Sequence, residues 1–238
     1  MIRDTSIQRV AILCLMALAM APTVLAGGVR PNSRISESYI AASPSSFKVK
    51  IELYYMPQCP GCRQLISTSI SEAFQTPGFA DMANVEFKPW GRKHQEVGVG
   101  RIFDNVLESC ALQKIGNHHQ DTQFMYIECI DRAGNIGSNP STVDRSCAKV
   151  VGLDDSQINE IEECALSKDG HALADKYLRE ADAMEMIYDP WIVVNGYHSK
   201  EQEDKIWHSL FYYVCEIYKG PYRSSECPQT GDSIEEQL

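Results

Sequence analysis

Ser46-Phe47-Lys48-Val49-Lys50-Ile51-Glu52-Leu53-Tyr54-Tyr55-Met56-Pro57-Gln58-Cys59-Pro60-Gly61-Cys62-Arg63-Gln64-Leu65 joins two different periodicities. Val49, Ile51, Leu53 and Tyr55 alternate with Lys48, Lys50, Glu52 and Tyr54, the period of a β-strand. Pro57 and Pro60 end that strand, and Arg63-Gln64-Leu65-Ile66 opens a helix-compatible run towards Phe74. The Cys59-x-x-Cys62 pair therefore sits where a strand turns into a helix.

That position has chemical consequences. The first turn of a helix exposes unpaired N–H groups and partial positive charge, both of which stabilise an adjacent thiolate. Cys59, the outer sulfur, is the expected nucleophile with a lowered pKa. Cys62, one turn further in, is placed to attack the mixed disulfide that Cys59 would form. Pro60 suits the first turn because it has no N–H to satisfy. Two other readings compete: an inert structural disulfide, and half of a zinc site. A short-loop disulfide constrains little chain entropy. A structural zinc needs four ligands, and no second Cys-x-x-Cys supplies the others.

The sequence before the strand reads as an export signal. Arg3 and Arg9 precede an apolar run from Val10 to about Met20, and Val24-Leu25-Ala26 fits a small-x-small cleavage site. The run is shorter than the ~20 residues that span a bilayer, so no stable membrane insertion is expected. The expected organisation is a signal peptide at 1–26, a flexible leader at 27–46, one domain at 47–228 and a disordered acidic tail at 229–238. Of the nine cysteines, Cys14 would leave with the signal. Six beyond the redox pair remain: Cys110, Cys129, Cys147, Cys164, Cys215 and Cys227. An even number in an exported chain predicts disulfides whose pairing spacing does not determine. Pairing between sequence neighbours, Cys110–Cys129, Cys147–Cys164 and Cys215–Cys227, is the simplest arrangement. The net charge of −10, with no basic stripe, excludes a nucleic-acid partner.

Asn84 to Trp90 forms a second short strand, so strand, helix and strand make a βαβ unit with parallel strands. Strand patterning then disappears, and residues from about 101 to 187 read as inserted helices. Leu107 and Ala111 lie at helical spacing, Asp121–Cys129 is helix-compatible, and 131–139 is a Gly/Asn-rich break. Asp154 caps a helix through Ile158, Ile161 and Leu166; Lys168-Asp169-Gly170 ends it, and Ala172–Met186 is another helix. His94, His118 and His119 stand in polar loop sequence without further ligands at metal spacing, and are expected in solvent.

Tyr188-Asp189-Pro190-Trp191-Ile192-Val193-Val194-Asn195-Gly196 restarts the sheet, with Asn195-Gly196 as a hairpin signal and Tyr197 opening a return strand. Glu201–Tyr218 reads as one closing helix whose stripe is Ile206, Leu210, Val214 and Ile217. The order predicts an α/β, thioredoxin-like fold with a helical insertion between the second and third strands. In that fold a proline heading this strand is the place of a cis-proline beside the cysteines.

The chain resembles the gamma-interferon-inducible lysosomal thiol reductase (GILT) family. The resemblance lies in Leu53-Tyr54-Tyr55 running into Cys59-Pro60-Gly61-Cys62, in Ile161-Glu162-Glu163-Cys164-Ala165 with Gly170, and in Pro190-Trp191 followed by Val194-Asn195-Gly196. Val214-Cys215-Glu216-Ile217-Tyr218-Lys219-Gly220 and Glu226-Cys227-Pro228 extend it. It implies a soluble lysosomal, endosomal or secreted enzyme that reduces disulfides in protein substrates at acid pH. It also implies a thiol reductant for recycling and no cofactor. On the matching positions Cys59 is the nucleophile, Cys62 resolves, and Pro190 is the substrate-facing cis-proline. Residues 91–100 lack the family's two cysteines in this region, and the mature chain has no Asn-x-Ser/Thr sequon, so the member would be divergent. An ionised Asp189 near Cys59 would oppose its thiolate; pointing to solvent, it would not. The alternatives are a disulfide oxidase or isomerase, and a non-catalytic, disulfide-stabilised secreted binding module.

Overall fold

The computed structural model describes residues 47–57, 59–91, 99–116, 119–133 and 140–229. The expected signal peptide, leader, His94 and His118, and nearly all of the acidic tail lie outside them.

Three strands form one sheet in the order β2-β1-β3. β1 (Val49–Tyr55) lies in the middle, parallel to β2 (Ala83–Pro89) and antiparallel to β3 (Trp191–Val194). Its alternation works as read on one face, where Val49, Ile51, Leu53 and Tyr55 are buried. The opposite face is also covered. There Tyr54 packs with Trp90, Trp191 and Val193 beneath Leu178 and Ala181. Leu178 and Ala181 belong to α8 (Lys168–Ala183), so helices close both sides of the sheet. Each fully buried large aliphatic side chain contributes about 1.5–3 kcal/mol, which makes this central strand the anchor of the fold.

After β1, α1 (Pro60–Leu65), a π-helical turn (Ile66–Ile70) and α2 (Ser71–Gln75) follow without a break. A short α3 (Phe79–Met82) leads into β2. The insertion between β2 and β3 holds α4 (Val99–Ile115), α5 (Gln120–Ala133), α6 (Pro140–Val150), α7 (Asp155–Leu166) and α8. Asp154 caps α7 as read, accepting from Gln157 N while the Gln157 side chain accepts from Asp154 N.

The structure corrects several local readings. α6 was not anticipated, because its sequence follows a Gly/Asn-rich stretch and is largely polar. Lys168-Asp169-Gly170 begins α8 rather than ending α7, since the Ser167 hydroxyl accepts from Gly170 N at 3.1 Å and caps the new helix. The Asn195-Gly196 turn forms, with positive φ at both residues (50° and 81°), but no return strand follows. Only Val194 and Tyr197 bridge, because Ser199 caps α9 (Lys200–His208) two residues later. The closing helix is two helices. Ser209 leaves helical geometry (φ −159°, ψ 114°) and caps α10 (Leu210–Ile217). The break is held from the π-helical turn, where Ser69 Oγ accepts from Leu210 N at 2.8 Å and donates to the Ile206 carbonyl.

The disulfides are Cys110–Cys164, Cys129–Cys147 and Cys215–Cys227. Of the expected pairs only Cys215–Cys227 forms, because the packing of α4 against α7 ties Cys110 to Cys164 and leaves Cys129 to Cys147. The Cys110–Cys164 bridge spans 54 residues, and in the chain-entropy view it stabilises the insertion by about 4 kcal/mol. Gly170 is the residue that fits beneath it. A Cβ there would stand 2.1 Å from the Cys164 carbonyl oxygen and 3.0 Å from Cys110 Sγ.

Candidate active site

The strand-to-helix turn places the two cysteines at different depths. Cys59 is the N-cap of α1, with extended geometry (φ −67°, ψ 125°), and is half-buried. Its N–H donates to Met56 O at 3.1 Å and its carbonyl accepts from Arg63 N at 3.0 Å, which fixes the turn. Pro60 occupies the first helical turn as its sequence suggests. Cys62 is 1% exposed, and neither cysteine is in a disulfide. The Cys62 thiol is pushed far above the ordinary range, first by its hydrogen bond to Cys59, then by burial and by the Cys59 charge. The pair thus differs in exposure, and Cys62 holds its proton far more tightly than an ordinary thiol.

Pro190 reaches the same place from the far end of the insertion. The Asp189–Pro190 peptide is cis. A Cβ on Gly61 would lie 3.7 Å from Pro190 Cδ, 3.8 Å from the Asp189 carbonyl oxygen and 4.0 Å from Cys59 Sγ, so the proline ring lies against the dithiol turn. Pro190 is itself buried, whereas Asp189 and Cys59 are half-buried. Asp189 does not simply point to solvent: its Oδ1 is buried, and its charge adds to the upward push on Cys62.

Two further features escaped the sequence reading. Asp131 lies on α5 and is 7% exposed. Glu128, nearly one turn earlier, accepts from Ser71 Oγ at 2.8 Å, which packs α5 along the helix that starts at the dithiol. Asp131 then comes under the fields of Arg63 and Cys59. Burial pushes its carboxyl up to about 7, against the pull of Arg63 and with the help of the Cys59 and Glu128 charges. The second feature is a hydrogen-bonded group around the Pro190 segment, formed by Tyr188, His198 and Glu203. Asp131 had one visible signal: it continues the Phe124, Ile127 stripe at helical spacing, so an acid falls on a core-facing position. His119 is exposed, and among the described residues no group of three His, Cys, Asp or Glu side chains could hold a metal ion. No described helix is long and apolar enough to cross a membrane.

Comparison with known proteins fits this geometry. Residues 50–151 match the family described as gamma interferon inducible lysosomal thiol reductase (GILT), a span that holds the dithiol but ends before Pro190. A gamma-interferon-inducible lysosomal thiol reductase of Carassius auratus is 25% identical over 185 residues, 72% of this chain and 69% of its own length. A gamma-interferon-responsive lysosomal thiol protein of Arabidopsis thaliana is 27% identical over 188 residues, 74% and 73% of the two chains. Among solved structures, the MdbA thiol-disulfide oxidoreductase of Actinomyces oris superposes with a TM-score of 0.55 at 11% identity, covering 76% of this chain and 85% of its own. MdbA of Corynebacterium diphtheriae gives 0.52 at 17% identity, covering 71% and 85%. At such identities the two structures speak to the fold, which is thioredoxin-like with a helical insertion between the second and third strands. The family match over residues 50–151, the relatives and the fold agree: the chain is similar to the GILT thiol reductases, and its fold is that of thiol-disulfide oxidoreductases.

Proposed function

We propose that the protein reduces disulfide bonds in protein substrates through Cys59 and Cys62, in an acidic compartment. The observation that supports this most directly is the asymmetry of the pair: a half-buried Cys59 at a helix N-terminus, and a buried Cys62 that donates a hydrogen bond to it. The helix terminus and the Cys62 thiol both favour a thiolate on Cys59. That thiolate attacks one sulfur of the substrate disulfide. The substrate S–S bond breaks, and the departing substrate sulfur leaves as a thiolate that takes up a proton.

Resolution follows from the same contacts. Once Cys59 is in the mixed disulfide it carries no negative charge, so the two effects of Cys59 that hold the proton on Cys62 vanish together. Cys62 then loses its proton and attacks Cys59 Sγ. A Cys59–Cys62 disulfide forms, and the second substrate thiol departs. An external thiol reductant restores the dithiol, with no further cofactor. Pro190, packed on the turn, is assigned to the substrate-facing edge.

Acid operation is supported by Asp131. Below about pH 7 its carboxyl is neutral and does not oppose a negative charge on Cys59. The export-type N-terminus and the lysosomal relatives support a place in the secretory pathway, lysosomal, endosomal or secreted. The test is turnover of a disulfide-bonded protein substrate with a small thiol as reductant, at about pH 5 and about pH 7.5. Wild-type chain is expected to reduce the substrate faster at the lower value. Cys59→Ser is expected to fall to the rate of the reductant alone. Equal rates for wild type and Cys59→Ser would remove the reductase reading.

A further inference from the structure

The segment that carries Pro190 is fastened by a hydrogen-bonded chain whose proton content follows from its geometry. Tyr188 Oη lies 2.7 Å from Glu203 Oε2 and 3.3 Å from His198 Nε2. His198 Nδ1 is 2.9 Å from the Ile192 carbonyl oxygen. A carbonyl only accepts, so Nδ1 carries a hydrogen and Nε2 is the nitrogen whose state is open. Glu203 is 1% exposed, and its Oε1 accepts from Ile192 N at 3.3 Å. The His198 ring is stacked on Trp191 at 3.5 Å between centroids. These contacts bind both sides of Pro190: Tyr188 before it and Ile192 after it to Glu203 of α9, and Trp191 to His198 just before α9.

Consider His198 neutral and Glu203 ionised. Burial and the Glu203 carboxylate keep the hydrogen on Tyr188. That single hydrogen goes to Glu203, so lone pairs on His198 Nε2 and Tyr188 Oη face each other. One more proton removes the conflict in either of two ways. A protonated Nε2 donates to Tyr188, which donates to the carboxylate. Alternatively, a protonated Glu203 donates to Tyr188, which donates to Nε2. Both arrangements contain the same number of protons, so the complete chain holds one proton more than the broken one.

The surrounding charges do not supply a substitute. Lys200 on α9 is 3.9 Å from Glu203 Oε2 but is exposed and bonded to Asp204 at 2.6 Å. Asp204 adds negative field at Tyr188, and Asp189 is the acid on the Pro190 segment itself. His198 Nδ1 also lies 3.6 Å from Glu203 Oε1, so a charge on the ring would meet the carboxylate directly.

We propose that Tyr188, His198 and Glu203 are positioning residues that bind one proton as a unit and thereby fix the segment around Pro190 in acid. This rests on the reading of Pro190 as the substrate-facing edge, whereas the proton uptake itself does not. The test uses the full chain with its native disulfides. Side-chain ¹⁵N spectra of His198 and hydrogen exchange of the Ile192 amide are recorded at about pH 5 and about pH 7.5, where histidines change charge. After correction for intrinsic exchange, Ile192 is expected to be about tenfold better protected at the lower pH, as one added hydrogen bond would give.

Tyr188→Phe removes the bridge and is expected to abolish that difference. Should it fail to fold, His198→Gln, which cannot gain charge, is expected to do the same. Either variant should lose the acid advantage in kcat/KM on a protein substrate while Cys59 alkylation by a small reagent keeps its pH profile. Equal Ile192 protection at both pH values in the wild type, or a difference that survives in the variants, would overturn the proposal. Absent turnover with pH-dependent Ile192 protection would count against the reductase reading instead.

Discussion

Cys62→Ser is expected to stop the reaction at the mixed disulfide. Cys62 is 1% exposed and hydrogen-bonded to Cys59, so its sulfur is the group positioned to attack once Cys59 has bonded to substrate. Serine keeps the size and a hydroxyl donor at that place, and removes the nucleophile. Cys59 would still form a thiolate and attack, but release would depend on an external thiol reaching a half-buried sulfur. Turnover should fall on the order of a thousandfold, while a covalent adduct between Cys59 and substrate accumulates. Non-reducing electrophoresis followed by mass spectrometry reads the adduct. Loss of activity without an adduct would mean that Cys62 supports the first attack rather than the second.

Asp131→Asn carries the second large effect, and its sign depends on pH. An unfolded aspartate titrates near ~3.9, and in the fold burial moves Asp131 up to about 7. The folded state therefore binds the extra proton between these values. Its relative stabilisation is fully present below about pH 4 and is lost as pH rises through about 7. Three pH units correspond to on the order of 4 kcal/mol. Asparagine is neutral throughout, so the variant should match wild type near pH 4 and exceed it above pH 7 by up to about that amount. Denaturant midpoints across this range measure the difference. An unchanged pH dependence in the variant would show that Asp131 ionises freely in the fold. Above about pH 7 the same substitution removes a negative charge from the vicinity of Cys59, so Cys59 reactivity should rise there and stay as in wild type in acid, where Asp131 is already neutral.

The dithiol was legible because its signals are local. Alternation from Val49 to Tyr55, punctuation at Pro57 and Pro60, and the spacing of Cys59 and Cys62 lie within a few residues of one another. Pro190 was legible through order, as the proline that reopens the sheet after the insertion. The stripe Ile206, Leu210 and Val214 is buried even though the helix carrying it breaks at Ser209. The break itself was hidden, since Ser69 causes it from far away in the sequence. Tertiary distance also concealed the pairing of Cys110 with Cys164, which follows from how α4 meets α7.

Buried charge was the least legible class. Glu203 reads as one more acid in a charged first turn, and becomes 1% exposed only because Tyr188 and the Ile192 amide meet it there. Asp131 reads as the first residue of a break, yet it closes the buried face of α5. Tyr54 was placed with the polar face of β1, and α8 buries it beside Trp90 and Trp191. In each case the sequence carries the residue and the fold supplies its environment, which is what sets its chemistry.

The measurement that bears most directly on the central claim is the rate of Cys59 alkylation as a function of pH, on the reduced chain with its three structural disulfides intact. A thiol stabilised by the helix N-terminus and by the Cys62 hydrogen bond should label rapidly below about pH 6. Labelling that rises only towards pH ~8.5, the ordinary range of a cysteine, would contradict an acid-competent thiol reductase at this site.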